Sequence, residues 1–579
     1  MNKKIFWIIL IPALLIIGGY LFIRFSLQSS INKGEKDAAA AGSDTTAVQK
    51  SSPLDLRPLF IKKLQQVVTK SSGGLYTLSV ADMQLDVLSS SVSLQNVSVI
   101  PDKEVLASLV KEAQAPNDVF TVSFKTLIIE GVNLDDAITS KTMDYKLIKL
   151  VNPIIEVHHK KRTTVKKSDE DFSQRFLKEM QKLSVNKVVI EGAALTHYND
   201  DKKGKQTKLN DFALTMTDIL VDSTTRDNKD RFLFAKEAAI SFKNFSTATT
   251  DKIYNLEIGS VSIKSPRQTV SLQNFSFKTK LSKEAFQKRF KTRKEIFDLS
   301  IPSIIVQKMD WWDLLNEERI EADAITVSGL KLDVYLDRRP LPSSRMGNFP
   351  NQVIMNMPIK ISVPKIKFEN MEVAYTEFNP KSKQNGTVVL DRINMTMTGV
   401  TNRAEKMGAT KKMNVSASAR FMRTVPLNAV FNLDMKAYKK GAFSAALSLG
   451  GFDGTIVNSF AGPMGMVNVK EGSLQKVEIK VSGDEMKATS EVLVLYKNLK
   501  VSLLEKDSGK KALDKKDVTS FLANFIIKND NPKGDKEPRR ERGEFVRNPD
   551  AGFLNLVWKA GLVGILKTVG APAKLASKP

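Results

Sequence analysis

The sequence contains no cysteine. That excludes a disulfide framework, a thiolate zinc or iron–sulfur site and a cysteine nucleophile. Only three histidines occur in 579 residues: His158, His159 and His197. So few imidazoles leave little for acid–base catalysis or a His-built metal centre. No glycine-rich phosphate loop with its lysine follows a strand pattern. Glu317 and Glu318 lack a partner carboxylate at a spacing suited to paired acid–base work. Acid is scarce beside base: Lys+Arg 88 against Asp+Glu 63 leaves a formal charge of +25. These absences argue against an enzyme, a metal site or a cofactor. They leave binding, scaffolding and transport.

The N-terminus carries the one long apolar run. Ile5 to Ile23 (IFWIILIPALLIIGGYLFI) holds 19 uncharged residues. At ~1.5 Å per residue this is just long enough to cross a hydrocarbon core of ~30 Å. Lys3 and Lys4 before it favour a cytoplasmic N-terminus. No small-residue cleavage site directly follows, so an uncleaved anchor over residues 1–25 is the reading, with a cleaved signal peptide as the alternative. The rest of the chain is then extracytoplasmic. Residues 26–53, rich in Ser, Ala, Lys, Gly and Asp, read as a flexible linker.

A helix is expected to open the folded part, with Pro58 in its first turn. From residue 75 to about 504 the dominant hydropathy period is two. Leu427, Ala429, Phe431, Leu433 and Met435 alternate with mostly polar neighbours. Ile361, Ile366 and Phe368 belong to the same kind of pattern, as do Ile393, Met395 and Met397, Phe443 and Leu447, Val477 and Ile479, and Val492 and Val494. Such alternation predicts antiparallel strands with one apolar and one wet face. Short helices are expected over 103–113, 172–183 and 282–293. His158-His159 is expected at a strand end running into an exposed loop, and His197 in a turn. Trp311-Trp312 is expected to start a short helix and to pack.

A loose repeat runs through the strands. Phe124–Leu134 (FKTLIIEGVNL), Val185–Leu195 (VNKVVIEGAAL), Ile320–Leu332 (IEADAITVSGLKL) and Val363–Val373 (VPKIKFENMEV) share one template. Each is a strand, then Gly or Asn at a bend, then a second strand. Gly and Asn tolerate the positive φ that bulges and turns demand. An apolar face of this extent cannot stay in water at ~25 cal/mol per Å². The helices are too few to cover all of it. A series of sandwiches and a curved gutter holding apolar ligand both fit the pattern.

Residues 505–551 are expected to form a helix over 513–527 and then a charged loop from Asn529 to Arg547. Residues 552–579 carry an apolar helix, Phe553 to Val569 (FLNLVWKAGLVGILKTV). Trp558, Lys559 and Lys567 are its candidate membrane-interface residues; capping of the sheet end is the other reading. The +25 charge fits anionic lipid headgroups or a lysine-rich wet face. Nucleic acid is a poor fit, because no basic-aromatic cluster appears.

Leu54–Leu64 (LDLRPLFIKKL) followed by Leu75–Leu88 (LYTLSVADMQLDVL) resembles the opening of AsmA-like proteins. Ser260–Pro266 (SVSIKSP), Met371–Glu377 (MEVAYTE), Gly472–Ile479 (GSLQKVEI) and the final strand pair with Tyr496–Val501 (YKNLKV) are similar to the same family. The resemblance covers about nine-tenths of the chain. It implies a mainly β fold: an elongated, curved antiparallel β-groove over residues 54–504, short capping helices and one transmembrane helix. It implies anchorage in the inner membrane of a Gram-negative envelope, with the bulk in the periplasm. The expected function is to hold acyl chains of phospholipid or another envelope lipid in the groove and to support lipid transport to, and assembly of, the outer membrane. With the apolar face taken as the groove, its candidate residues are Ile361, Phe368, Met395, Phe431, Leu433, Phe443, Leu447, Ile479 and Val494. The alternative from another class is a non-catalytic scaffold that engages envelope proteins without carrying lipid.

Overall fold

The structure is a computed structural model. It describes residues 57–573 and 576, except 87–89, 132–141, 163–180, 202–204, 226–227, 229, 233, 250, 266, 311–312, 315–318, 466, 507–512 and 516–526. The expected anchor, the linker, Trp311-Trp312 and most of the 172–183 segment lie outside these residues. Among the described residues no helix is long and apolar enough to cross a membrane. The chain is mainly β, 58% strand and 16% helix, with few and short helices. It divides into two compact units: Met1–Thr247 with Ile258–Val270, and Ala248–Glu257 with Ser271–Pro579.

In unit 1, helix α1 (Arg57–Ser71) leads into β1 (Tyr76–Asp86) and β2 (Ser91–Pro101). Helix α2 (Lys103–Lys111) follows; the Asp102 carboxylate caps it by accepting the backbone N–H of Glu104 and Val105. Then come β3 (Asp118–Glu130), β4 (Thr142–Val151), β5 (Ile154–His159), β6 (Lys182–Asn199), β7 (Lys205–Val221) and β8 (Ala235–Ala248). The division of the chain passes through β9 (Tyr254–Lys264) and β10 (Thr269–Thr279). β1, β2 and β3 are antiparallel. β3 pairs antiparallel with both β4 and β5, which in turn run parallel to β6. β6, β7 and β8 are antiparallel again. The sheet is therefore mixed where pure antiparallel pairing was expected. One strand is broken at Asn152-Pro153, and both of its pieces run parallel to β6. Lys182 and Leu183, expected to end a helix, open β6.

Alternation makes the core of unit 1. Met83, Leu94, Leu127, Leu150, Ile190, Leu214 and Ile240 stand opposite one another in successive strands, an unbroken apolar row. All but Ile240 are buried, and Ile61, Leu64 and Val68 of α1 pack onto the same core. A fully buried side chain of this kind contributes about 1.5–3 kcal/mol.

Unit 2 opens with α3 (Lys283–Lys288), capped by Ser282 and shorter than the expected 282–293; its Phe286 packs on Ile253 and Ile296. The strands are β11 (Glu295–Gln307), β12 (Ile320–Glu321), β13 (Ala324–Ser328), β14 (Lys331–Asp337), β15 (Ile361–Asn379), β16 (Gln384–Thr401), β17 (Lys412–Phe421), β18 (Val425–Asp434), β19 (Phe443–Leu449), β20 (Phe452–Asp453), β21 (Val467–Gly483), β22 (Lys487–Lys506), β23 (Leu513–Lys515) and β24 (Arg540–Val546). Helix α4 (Pro350–Met355) precedes β15, α5 (Asn458–Gly465) precedes β21 and α6 (Phe553–Val569) follows β24. The arrangement of unit 1 recurs. β11 is antiparallel to β13 and β14, and β12, β13 and β14 run parallel to β15. β15 to β19, then β21 and β22, are antiparallel neighbours.

Two expectations near the C-terminus are corrected. Leu513–Lys515 pairs with β22 as a strand where a helix was expected; residues 516–526 lie outside the described ones. The charged loop contains β24, paired antiparallel with β22 from Lys487↔Val546 to Leu493↔Arg540. Arg540, Arg542 and Glu544 sit on the exposed side of the strand, which hid it from a hydropathy reading.

The bends fall on the template residues Gly192, Gly329 and Asn370, and on Asn152 outside the template. In unit 1, Asn152 (φ 49°) breaks β4 from β5, and Gly192 (φ 64°) sits at the register shift of β6 on β7. A Cβ on Gly192 would strike Asn152 Oδ1. Only glycine meets both the left-handed backbone and this close approach. In unit 2, Gly329 (φ 71°) separates β13 from β14, and Asn370 (φ 52°) marks the shift of β15 on β16. Bulges at one level in neighbouring strands bend a sheet and raise its twist.

Candidate functional site

The candidate residues lie on the apolar face of unit 2. Ile304, Val327, Phe368, Met395, Ala417, Ala429, Leu447, Ile479 and Val492 are directly opposed from β11 to β22. Two residues along runs a second row: Ile325, Ile366, Met397, Val415, Phe431, Ala445 and Val481. Neither row contains a polar side chain. Period-two alternation with paired registers produces this face without any long-range instruction.

Seven of the nine candidates come together in one core: Met395, Phe431, Leu433, Phe443, Leu447, Ile479 and Val494. Leu433 is 1% exposed and Val494 2%. Phe368 packs instead against Ile301, Val327 and Leu330. Ile361 is half-buried at the start of β15, outside both clusters, where Asn402 Oδ1 accepts its backbone N–H at 2.9 Å.

Helix α6 seals part of this core. Leu556, Val557, Ala560 and Val569 are buried in it. The helix comes close because small residues meet at the crossing. A Cβ on Gly543 of β24 would lie 2.5 Å from Ala560 O, and one on Gly564 would lie 2.5 Å from Val492 Cγ2. Ser490 Oγ donates to Ala560 O at 2.7 Å. At the N-terminal end of α6, Phe553 meets Phe349 and Phe443 edge-on, with centroids 5.0 and 4.9 Å apart, and Phe431 at 5.9 Å. The inner side of the helix thus caps the sheet. Trp558 remains 44% exposed on the outer side. Lys559 is half-buried and donates to Ala576 O at 2.8 Å; burial holds its pKa below the ordinary lysine value, partly offset by Glu377. Lys567 is exposed and donates to Arg542 O at 2.8 Å. The three interface candidates therefore do not share one face.

Burial is uneven across β15 to β18. Phe368, Met395, Met397, Ala417, Leu427 and Phe431, on β15 to β18, are only half-buried. An open trough of about 490 Å³ crosses the same four strands. Its lining is led by the wet face, with Lys367, Glu369, Asn394, Thr396, Ser416 and Ser418, beside Phe368, Met395, Ala417 and Ala429. A lining of this mixture suits polar groups more than an acyl chain. The half-buried strip of Phe368, Met395, Met397 and Phe431 is the more apolar of the two surfaces.

Sequence reasoning missed a buried ion pair that holds the entry to α6. Arg547 donates to Ala551 O, Arg345 O and Glu485 Oε1 and lies over the Phe349 ring at 4.5 Å. Glu485 also accepts the Gly347 N–H and, at 3.0 Å, Gln352 Nε2. Burial pulls the Arg547 guanidinium below its ordinary pKa, and Glu485 opposes that pull. Elsewhere in unit 2, Tyr375 donates to Glu377 Oε2 at 2.8 Å and Arg338 pairs with Glu377 at 2.9 Å. Desolvation and the Glu377 charge push the Tyr375 hydroxyl far above the usual phenol range. No local pattern announces the two ion pairs, because Arg547 and Glu485, and Arg338 and Glu377, are distant in the chain.

The three histidines gather in unit 1 on paired strands, not in separate loops. His159 Nδ1 lies 2.6 Å from Asp118 Oδ1, His158 stacks on Tyr198 at 4.5 Å, and His197 stacks on His159 at 6.1 Å. Among the described residues no group of three or more His, Asp or Glu is arranged to hold a metal ion. Compared with protein-family models and with curated proteins, the chain matches none.

Proposed function

We propose that this chain is an AsmA-like protein, anchored in an inner membrane and facing the periplasm, that holds lipid acyl chains on its apolar β-face and supports lipid transport to, and assembly of, the outer membrane. The observation that carries the reading is the half-buried part of the apolar rows, Phe368, Met395 and Ala417 with Met397 and Phe431. Acyl chains need no directional partner. Each CH₂ removed from water contributes about 0.8 kcal/mol, so an aliphatic strip binds tails with little selectivity among them. Headgroups would stay in water. On this reading α6 closes the face at β21 to β24 and leaves the strip on β15 to β18 for ligand.

The test is mass spectrometry of lipid retained by residues 54–579 purified without detergent. The terminal helix is kept because Leu556, Val557 and Ala560 are core residues. Near-stoichiometric phospholipid, lost in Met395→Asp while the fold is kept, is the expected result. A folded, monodisperse and lipid-free protein refutes the reading. The scaffold reading would then lead. It is favoured by unit 1, where the opposed apolar residues from Met83 to Leu214 are already buried by their own neighbours.

A further inference from the structure

Four exposed apolar side chains gather at one end of the unit 2 sheet: Met346, Val353, Met486 and Val546. Met486 and Val546 are 61% and 68% exposed. The contacts place them together. Val546 is paired with Lys487, the Arg547 N–H donates to Met486 O at 2.8 Å, and Arg547 Nη1 lies 3.4 Å from Met346 Sδ. Val353 sits on α4 beside Gln352, whose amide donates to Lys439 O and Glu485 Oε2. Lone exposed apolar residues are ordinary, but a group of them at one edge marks an interaction surface.

Lysines lead the exposed charge around the group. Lys436, Lys439, Lys440 and Lys487 are all exposed there. The nearby acids face their own turns. Asp434 accepts the N–H of Lys436 and Ala437, Asp484 accepts the N–H of Met486 and Lys487, and Glu485 is held by Arg547 and Gln352. Lys487 reaches Glu544 at 3.4 Å, but among the described residues Lys436, Lys439 and Lys440 have no acidic partner. Half-buried Tyr438 stands among them. Apolar side chains that enter an interface, with an aromatic and lysines at headgroup level, fit a bilayer better than a protein face.

We infer that this end of unit 2 docks onto a bilayer surface rich in anionic phospholipid. The inference does not rest on acyl-chain carriage, since a protein with a closed apolar face can dock in the same way.

The absence of native cysteine makes the test clean. The full chain is held in neutral phosphatidylcholine nanodiscs and carries Met486→Cys labelled with an environment-sensitive fluorophore. Vesicles of phosphatidylglycerol and phosphatidylcholine are added, or of phosphatidylcholine alone. The label is expected to brighten and shift to the blue with the anionic vesicles only. The same label at Val430→Cys, in the middle of β18 and 44% exposed, is expected to stay unchanged. Replacing Lys436, Lys439, Lys440 and Lys487 by Gln is expected to weaken vesicle binding at least about tenfold, with an unchanged circular dichroism melt. No response at position 486, an equal response at 430, or full binding by the four-Gln variant would each overturn the inference. The first of these, together with capture by an acidic protein, would point to a protein partner.

Discussion

Units 1 and 2 use one strand plan and close it differently. In each, a strand broken at a positive-φ residue runs parallel to a long strand bearing a bulge: β4 and β5 beside β6, then β13 and β14 beside β15. Among the described residues, unit 1 buries its apolar rows among themselves with α1 laid on. Unit 2 uses α6, α4 and a buried Arg547–Glu485 pair to cover Leu433, Phe443, Ile479 and Val494, and leaves Phe368, Met395, Met397, Ala417 and Phe431 half-buried. Sheet patterning therefore provides an apolar face, and what covers it is a separate matter of distant chain segments. On the proposed reading, an acyl chain on the half-buried strip would take the place of such a cover.

The largest expected effect contrasts the covered and half-open parts of unit 2. Leu433→Asp places an unpaired charge beneath the covered part and is expected to abolish its cooperative melting, a loss of more than about 4 kcal/mol. Met395→Asp, on the half-open strip, is expected to cost only about 1–2 kcal/mol. Equal losses in calorimetry would erase the distinction between the two parts.

Arg547→Ala should follow, at about 3–5 kcal/mol, because half-buried Glu485 loses its counter-charge and the buried bonds of Arg547 to Ala551 and Arg345 are lost. Urea titration checks it, and Arg547→Met with Glu485→Gln is expected to recover much of the loss. Gly543→Val tests whether the close crossing matters. Its side chain has no room against Ala560 O and Ser490 Oγ, so a loss of about 2–3 kcal/mol is expected. Increased protease cleavage near α6 would be the structural readout.

Lys559 gives a pH effect of defined sign. Burial lowers its folded pKa below the unfolded value. The folded state thus carries a penalty wherever the lysine is charged in both states. That penalty is relieved as pH rises through the folded pKa toward the unfolded one. Lys559→Met is expected to stabilise the protein at neutral pH, and the gain should shrink toward pH ~10. A gain independent of pH would assign the effect to packing alone. The smallest expected change is Lys500→Ala. Its pair with Glu471 is exposed on both sides, so a melt should register about 0.5 kcal/mol or less.

Much of the fold was legible along the chain. Leu427, Ala429, Phe431 and Leu433 alternate in β18 as their spacing predicts, and Gly192, Gly329 and Asn370 bend the backbone where the repeat places them. Helix α2 begins at its Asp102 cap as a local signal should make it. The mixed pairing was not legible, because a strand interrupted at Asn152 has the same hydropathy period whether its neighbour runs parallel or antiparallel. β24 was hidden for another reason: Arg540, Arg542 and Glu544 stand on its exposed side, and buried Gly543 adds no hydropathy. The candidate residues were legible as an apolar face, but their depth was not. Leu433 and Phe431 look alike in sequence, yet one is sealed and the other half-open.

By itself the sequence determined that the chain is mainly β and that its strands carry one apolar face. The alternation of side chains, and the few residues able to hold positive φ, are local properties. Only the tertiary structure decided which stretch of that face is covered. Ser490 and Ala560 meet across 70 positions of chain, and Gly543 and Gly564 open the same crossing. Burial is set by contacts between segments distant in sequence, and no local periodicity encodes that distance.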